Sequence, residues 1–200
     1  MTERLPLSNP EDWSEPVREL LAGTLEPVAE LEGEEGGGSG PLHILRTIAY
    51  HPTLLGPFLG FAATLATQGV LARRDSELLA LRVAWNCRSA FEWGHHVLYA
   101  REAGLDEASI EAIVSGPGAD HWDGRDRWLL RAADELHASQ QLRDETWRAL
   151  REEVGLSPAQ LVELTFVVGN YTMLSMVANA TGVPLEEGLP EWPPRSMQGA

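Results

Sequence analysis

The sequence predicts an all-α protein, and three observations support this prediction. Apolar residues recur every three or four positions over most of the chain, which is the spacing of one face of a helix. Helix-capping residues and the helix terminators Gly and Pro bracket these segments. Strand signals are almost absent, since even the β-branched pair Val167-Val168 lies inside a helical pattern. We therefore expect a helical bundle without a sheet.

The predicted elements follow one another with short connections. Ser14 can cap a first helix over 15–21. The Gly- and Glu-rich run 32–40 cannot bury apolar surface and is typical of a flexible linker. Further helices are predicted over 42–50, 53–68, 76–103, 107–114, 123–138, 142–154 and 158–181. The resulting organisation is a mobile N-terminal arm and linker over 1–40, a single helical domain over 41–184 and a Pro-rich tail over 185–200.

Two long helices dominate this prediction. The segment 76–103 is predicted as one continuous helix that Gly104 ends. The segment 158–181 starts with Pro158 in its first turn. Because this last helix is apolar nearly all round, it requires cover on several sides, either at the centre of one core or in a subunit interface.

Composition excludes several classes of function. Hydrophobic residues make up 44% of the chain, which is typical of a globular protein. Thirty acidic and fifteen basic residues give a net charge of −15, which argues against binding nucleic acid or an anionic membrane through a basic face. No uninterrupted apolar run approaches the ~20 residues of a membrane helix, and the N-terminus does not have the pattern of a signal peptide. We expect a cytoplasmic protein with no nucleic-acid or membrane partner.

The most informative segment is 77–96, where ionisable and aromatic side chains interrupt the apolar pattern. Glu92 and His96 are four residues apart, which places them on one face of a helix. A carboxylate–imidazole pair can move protons near neutral pH. The alternative is a solvated surface pair that adds little stability. The continuous helix would give Glu92 and His96 the neighbours Trp85, Arg88, Ser89 and Tyr99 on their own face, and Cys87, Phe91, His95 and Leu98 on the next stripe.

The sequence contains no metal-binding signature. Cys87 is the single cysteine, so one chain has neither an intramolecular disulfide nor a Cys-x-x-Cys motif. The adjacent residues His95 and His96 point about 100° apart on a helix and do not form a zinc motif. We therefore expect no bound metal.

Three motifs occur in a specific order along the chain. They are Arg46-Thr-Ile-Ala-Tyr-His-Pro, then Glu77-x-x-x-Leu-Arg-Val-Ala, then Phe91-Glu-Trp-x-x-His96 up to Gly104-Leu. Together they resemble the carboxymuconolactone decarboxylase family, which includes the alkylhydroperoxidase D-like proteins, over roughly residues 41–190. The resemblance implies an all-helical alkylhydroperoxidase D-like bundle. It also implies a symmetric homo-oligomer (trimer or hexamer, with a dimer as the alternative) whose site lies near a subunit interface.

The peroxidase branch of this family uses a Glu, a Cys-x-x-Cys pair and a His as a proton relay. Alignment on His96 places that glutamate at Glu77 and the two cysteine positions at Ser89 and Glu92. Both sulfurs are therefore missing, which removes the two-cysteine peroxidase cycle.

The decarboxylase branch resembles this chain more closely, because it has Glu at the position of Glu92. That branch implies a lyase without a metal or organic cofactor, acting on a small organic acid or lactone. We expect His96 to be the acid/base, Glu92 to hold its tautomer or share its proton, and Glu77 to be a second acid/base or an orienting group. Arg82 or Arg88 is expected to hold a substrate carboxylate. An apolar lining is expected from Trp85, Phe91, Trp93, His95 and Tyr99.

Two other classes of function remain open on the sequence. One is a peroxiredoxin-type hydroperoxide reductase acting through Cys87, which requires an accessible thiol with a pKa lowered by His95 or Arg88. The other is a non-catalytic oligomeric ligand-binding protein.

Overall fold

The computed structural model describes residues 4–22 and 42–192, and all regular elements in these ranges are helical. Single 3₁₀ turns occur at Pro10–Asp12 and Gly116–Gly118. The α-helices are α1 Glu15–Ala22, α2 His43–Ile48, α3 Pro52–Gln68, α4 Arg73–Asn86, α5 Ala90–Glu102, α6 Glu107–Ser115, α7 Gly124–Ser139, α8 Asp144–Glu152 and α9 Pro158–Thr181. The all-α prediction is confirmed. The predicted linker over 32–40 and the end of the predicted tail lie outside the described residues.

Contacts divide the described residues into two compact units. The first contains residues 4–22, 42–67 and 177–189, and the second contains 68–176 and 190–192. The first unit groups α1 with α2 and most of α3, so its limits differ from the predicted division at residue 40. Side chains connect its segments: Ser8 Oγ donates to the Arg46 carbonyl at 2.6 Å, and the His43 N–H donates to Glu186 at 2.8 Å.

The prediction of one continuous helix over 76–103 is wrong, because a tight turn separates α4 from α5. The Ser89 N–H donates to the Ala84 carbonyl at 2.9 Å and the Arg88 N–H to the Trp85 carbonyl at 3.0 Å, which is the Schellman pattern of helix ends. Arg88 takes the left-handed conformation that this pattern requires, with φ 52°. Ser89 Oγ then accepts the Glu92 N–H at 3.3 Å and caps α5.

This turn folds α5 back against α4. Glu77 and His96 are 19 residues apart and would lie about 28 Å from each other along one straight helix. In the folded hairpin their side chains are bonded at 2.6 Å. Helix α4 also packs on α6 and α7, and most of its side chains are buried. The hairpin therefore places ionisable groups inside the core of the second unit.

Helix α9 has the predicted limits and an apolar surface on two sides. One side is buried, whereas Val162, Phe166 and Met173 are 56%, 51% and 44% exposed. Among the described helices, α9 alone is long and apolar enough to cross a membrane, with a mean hydropathy of 1.4. A buried core helix meets the same criterion, so length and composition do not assign α9 to a membrane. The predicted homo-oligomer stays a prediction.

Candidate active site

Three ionisable side chains of α4 and α5 meet in the interior of the second unit. His96 Nδ1 lies 2.6 Å from Glu77 Oε2, and His96 Nε2 lies 3.5 Å from Glu92 Oε2. The exposed fractions are 1% for Glu77, 3% for Glu92 and 5% for His96. The predicted Glu92–His96 pair is therefore present, and Glu77 is a second and closer partner of the same imidazole. We call these three residues the triad.

The two carboxylates keep the His96 imidazole protonated at neutral pH. Burial lowers the pKa of His96, because the charged ring loses its hydration, but the charges and hydrogen bonds of Glu77 and Glu92 outweigh burial and raise this pKa to about 9. The imidazolium donates Nδ1–H to Glu77 and directs Nε2–H towards Glu92. Each N–H group of the imidazolium therefore faces one carboxylate. With one positive ring and two negative carboxylates, the triad carries one net negative charge.

Two tyrosine rings cover the imidazole. The ring centroid of Tyr171, on α9, lies 4.3 Å from that of His96, and the Tyr99 centroid lies 5.4 Å away, both in edge-on geometry. Burial, followed by the charges of Glu77 and Glu92, raises the pKa of Tyr171, so its phenol stays protonated. The tyrosines reduce the access of water to the charged ring, which strengthens the electrostatic interactions within the triad.

Arg73 extends the site towards the surface. Its Nη2 lies 2.9 Å from Glu77 Oε1, in an ion pair whose angle is outside the hydrogen-bond range, and its Cζ lies 5.6 Å from the Tyr99 ring centroid. Arg73 is not among the predicted site residues, because the predicted helix begins at residue 76. The observed α4 begins at Arg73, which places Arg73 one turn before Glu77. Tyr171 was also missed as a site residue, since its contact depends on the packing of α9.

Glu92 presents a buried oxygen to the site. Its Oε1 has no hydrogen-bond partner among the described residues, and the same holds for Asn170 Oδ1, next to Tyr171 on α9. Burying an acceptor without a donor costs about 1–3 kcal/mol. A bound molecule that donates a hydrogen bond to Glu92 Oε1 would remove this cost while lying next to the imidazolium.

Cys87, at the end of α4, has neighbours other than the predicted ones. Its Sγ lies 3.6 Å from His137 Nδ1. Burial raises the pKa of the thiol and the charge of Glu92 adds to the rise, while two hydroxyl groups of α9 act in the opposite direction. A lowering of this pKa by His95 or Arg88, which a reactive thiol would require, is therefore not observed. Within residues 4–22 and 42–192, no cluster of His, Cys, Asp and Glu could hold a metal ion.

The two arginines that were expected to hold a substrate have other positions. Arg82 donates to both oxygens of Asp134, at 2.6 and 2.9 Å, and to the Ile113 carbonyl at 2.6 Å. These bonds connect α4 with α6 and α7. They use the N–H donors at the edge of the guanidinium, which a substrate carboxylate would otherwise accept from. Arg88 is exposed in the turn. The geometry does not favour the predicted role for either residue.

The aromatic residues expected to line the site divide between the site and the core. Tyr99 borders the triad. The Trp85 and Trp93 rings pack edge-on at 6.0 Å, and Trp93 is almost fully buried. The Phe91 and His95 ring centroids lie 4.4 Å apart in a tilted arrangement, and His95 Nδ1 lies 3.0 Å from the Phe91 carbonyl. These contacts assign the last four residues to core packing around the hairpin.

The match to a known family covers the hairpin that holds the triad. Residues 52–135 match the carboxymuconolactone decarboxylase family. No curated protein matches the chain.

Solved structures match nearly the whole chain. A peroxidase-related protein from Silicibacter sp. TM1040 is 19% identical over 91% of this chain and 91% of its own, with a TM-score of 0.73. The alkylhydroperoxidase AhpD core of a peroxidase-related protein from Ralstonia eutropha JMP134 is 14% identical over 92% and 93%, with a TM-score of 0.76. The debrominase Bmp8, a cysteine-to-alanine variant in complex with 2,3,4-tribromopyrrole, is 12% identical over 93% and 95%, with a TM-score of 0.69.

At these identities the solved structures show the fold alone, which is that of the alkylhydroperoxidase D-like proteins. The chain has the single cysteine Cys87, so the Cys-x-x-Cys pair is missing. The resemblance is confirmed: residues 52–135 match the carboxymuconolactone decarboxylase family, and the fold is that of the alkylhydroperoxidase D-like proteins.

Proposed function

We propose that this protein is a cofactor-independent acid/base enzyme in which His96 is the general acid towards a small organic acid or lactone. One observation carries the proposal: the buried His96 imidazole lies between two carboxylates, with Nδ1 2.6 Å from Glu77 and Nε2 3.5 Å from Glu92. Its raised pKa, about 9, means that the proton is present at neutral pH before a substrate binds.

With a pKa of about 9, the His96 imidazolium is a weak acid. It transfers its proton efficiently to a group that becomes more basic than the imidazole during the reaction. Loss of carbon dioxide from a carboxylated lactone creates such an acceptor. The bond from carbon to the carboxylate breaks, its electron pair moves towards the lactone carbonyl as an enolate, and carbon dioxide leaves. The carbon then takes a proton from His96, and solvent protonates the imidazole again.

The two carboxylates have different tasks in this scheme. Glu77, at 2.6 Å, holds Nδ1–H tightly and fixes the orientation of the ring. The Nε2–H, at 3.5 Å from Glu92, is held more weakly and is the proton available for transfer. Glu92 stabilises the imidazolium until transfer occurs.

The test combines carbon dioxide release with deuterium incorporation from heavy water, measured on a panel of carboxylated lactones and unsaturated acids. His96→Gln and Glu92→Gln are expected to lower turnover by about 10²- to 10⁴-fold at unchanged helicity. His51→Gln removes an exposed imidazole and is the matched control, with the turnover of the wild type. Full turnover in folded His96→Gln would refute the proposal.

Thiol-dependent hydroperoxide reduction through Cys87 is the second candidate function. The contact between Sγ and His137 favours it, because an imidazole can accept the thiol proton. The raised pKa of the thiol counts against it. Peroxide consumption by the wild type and by Cys87→Ser separates the two candidates, since only the thiol route needs sulfur.

A further inference from the structure

Arg73 is the cation that connects the buried triad with solvent. Its side chain is 47% exposed, whereas that of Glu77, 2.9 Å away, is 1% exposed. The guanidinium lies over the Tyr99 ring, and the Tyr99 ring in turn contacts His96. Arg73, Tyr99 and His96 are therefore in consecutive contact from the surface inwards.

Arg73 also has unused hydrogen-bonding capacity. Its ion pair with Glu77 uses Nη2, and within the described residues its remaining N–H groups have no protein acceptor. A guanidinium presents several N–H donors in a planar fork. Nearby arginines of the second unit already pair with aspartates: Arg74 with Asp126, Arg82 with Asp134 and Arg125 with Asp75.

The local charge makes a cation necessary for an anionic ligand. The triad with protonated His96 carries one net negative charge, and the whole chain carries −15. Arg73 brings the sum at the site to zero. Without Arg73, a carboxylate that approaches His96 would meet Glu77 and Glu92 uncompensated.

We propose that Arg73 binds a substrate carboxylate that is retained through the reaction, an inference that rests on His96 acting as the general acid. A guanidinium holds a carboxylate through two parallel charge-assisted hydrogen bonds. A cation paired with the departing carboxylate would stabilise the substrate more than the transition state, because that group loses its charge as carbon dioxide forms. Arg73 therefore anchors a carboxylate other than the one that leaves.

The experiment measures the binding of acetate, as a probe, to the full chain by calorimetry. Arg73→Gln is expected to weaken acetate binding at least tenfold, which corresponds to about 1.4 kcal/mol. Arg73→Lys keeps the charge without the fork, and its affinity is expected to lie between the two. Arg88→Gln makes the same change in net charge at the exposed turn and is expected to bind acetate like the wild type.

A second readout locates the acetate. In the wild type, acetate is expected to move the titration midpoint of the His96 ring upwards in a histidine NMR experiment, because it adds a negative charge beside the imidazolium. Arg73→Gln is expected to abolish this shift. A purely structural role of Arg73 would leave the shift in place.

Equal acetate affinity in the wild type and Arg73→Gln would overturn the proposal, and so would an equal loss in Arg88→Gln. If Arg73→Gln does not fold, folded Arg73→Lys takes its place. Wild-type acetate affinity in Arg73→Lys would then overturn the proposal that the guanidinium holds the carboxylate through two parallel hydrogen bonds. The general-acid function is judged separately by deuterium incorporation. His96→Gln is expected to lose proton transfer and the part of the acetate affinity that comes from the imidazolium charge, while its remaining acetate binding still depends on Arg73, so failure of one idea is distinguishable from failure of the other.

Discussion

Replacement of His96 by glutamine is expected to remove a pH-dependent part of the free energy of unfolding. The pKa of His96 is about 9 in the folded protein, against an ordinary value of 6.5. Because the folded value is the higher one, protonation stabilises the folded state. This contribution is fully present below pH 6.5 and is lost as the pH rises through 9. At about 1.4 kcal/mol per pKa unit, the difference corresponds to roughly 3 kcal/mol.

Urea denaturation of the wild type and His96→Gln between about pH 6 and pH 10 measures this contribution. The free energy of unfolding of the wild type is expected to fall by roughly 3 kcal/mol relative to the variant across this range. His51→Gln is the control and is expected to follow the wild type. Parallel curves for the wild type and His96→Gln would refute the charged state assigned to the triad.

Three further predictions concern neighbouring positions. Glu77→Gln and Glu92→Gln each lower the pKa of His96, and Glu77→Gln lowers it more because its oxygen is closer, 2.6 against 3.5 Å; histidine NMR titration measures both, and a larger effect at Glu92 would contradict the geometry. Arg88→Gly is expected to increase the free energy of unfolding by about 1 kcal/mol in urea denaturation, because glycine takes φ 52° without steric cost; a loss of stability would argue against the left-handed turn. Alkylation of Cys87 by iodoacetamide is expected to be slow at neutral pH and to accelerate only above pH 9.0, because burial raises the pKa of the thiol above that ordinary value. An alkylation rate already at its plateau near neutral pH would show an activated thiolate instead.

The sequence predicts helices well where residue type marks their ends. Helix α9 has the predicted limits, since proline opens it and Gly182 follows it. The division between α4 and α5 was missed because the apolar pattern continues through it without Gly or Pro. Arg88 adopts a conformation that glycine normally supplies, so residue type does not signal the turn. The spacing Ser89-x-x-Glu92, which matches a helix-start signal, was the available clue.

The site was predictable to the extent that its contacts are local. The pair Glu92–His96 follows from residues one turn apart on a helix. The contact between Glu77 and His96 depends on the chain reversal, so spacing alone placed these residues far apart. The ion pair of Arg82 with Asp134 does not favour the expected substrate role, and it was not foreseen because Asp134 lies on another helix and pairing between distant segments is not visible in periodicity.

The reversal at residues 87–89 sets the register between the two arms of the hairpin. Adding or removing one residue there would rotate α5 by about 100° and displace it by about 1.5 Å, while both helices could still form. His96 would then point away from Glu77, although no triad residue had changed. The length of a three-residue connection, far shorter than either arm, thereby governs whether one histidine is shared by two acids.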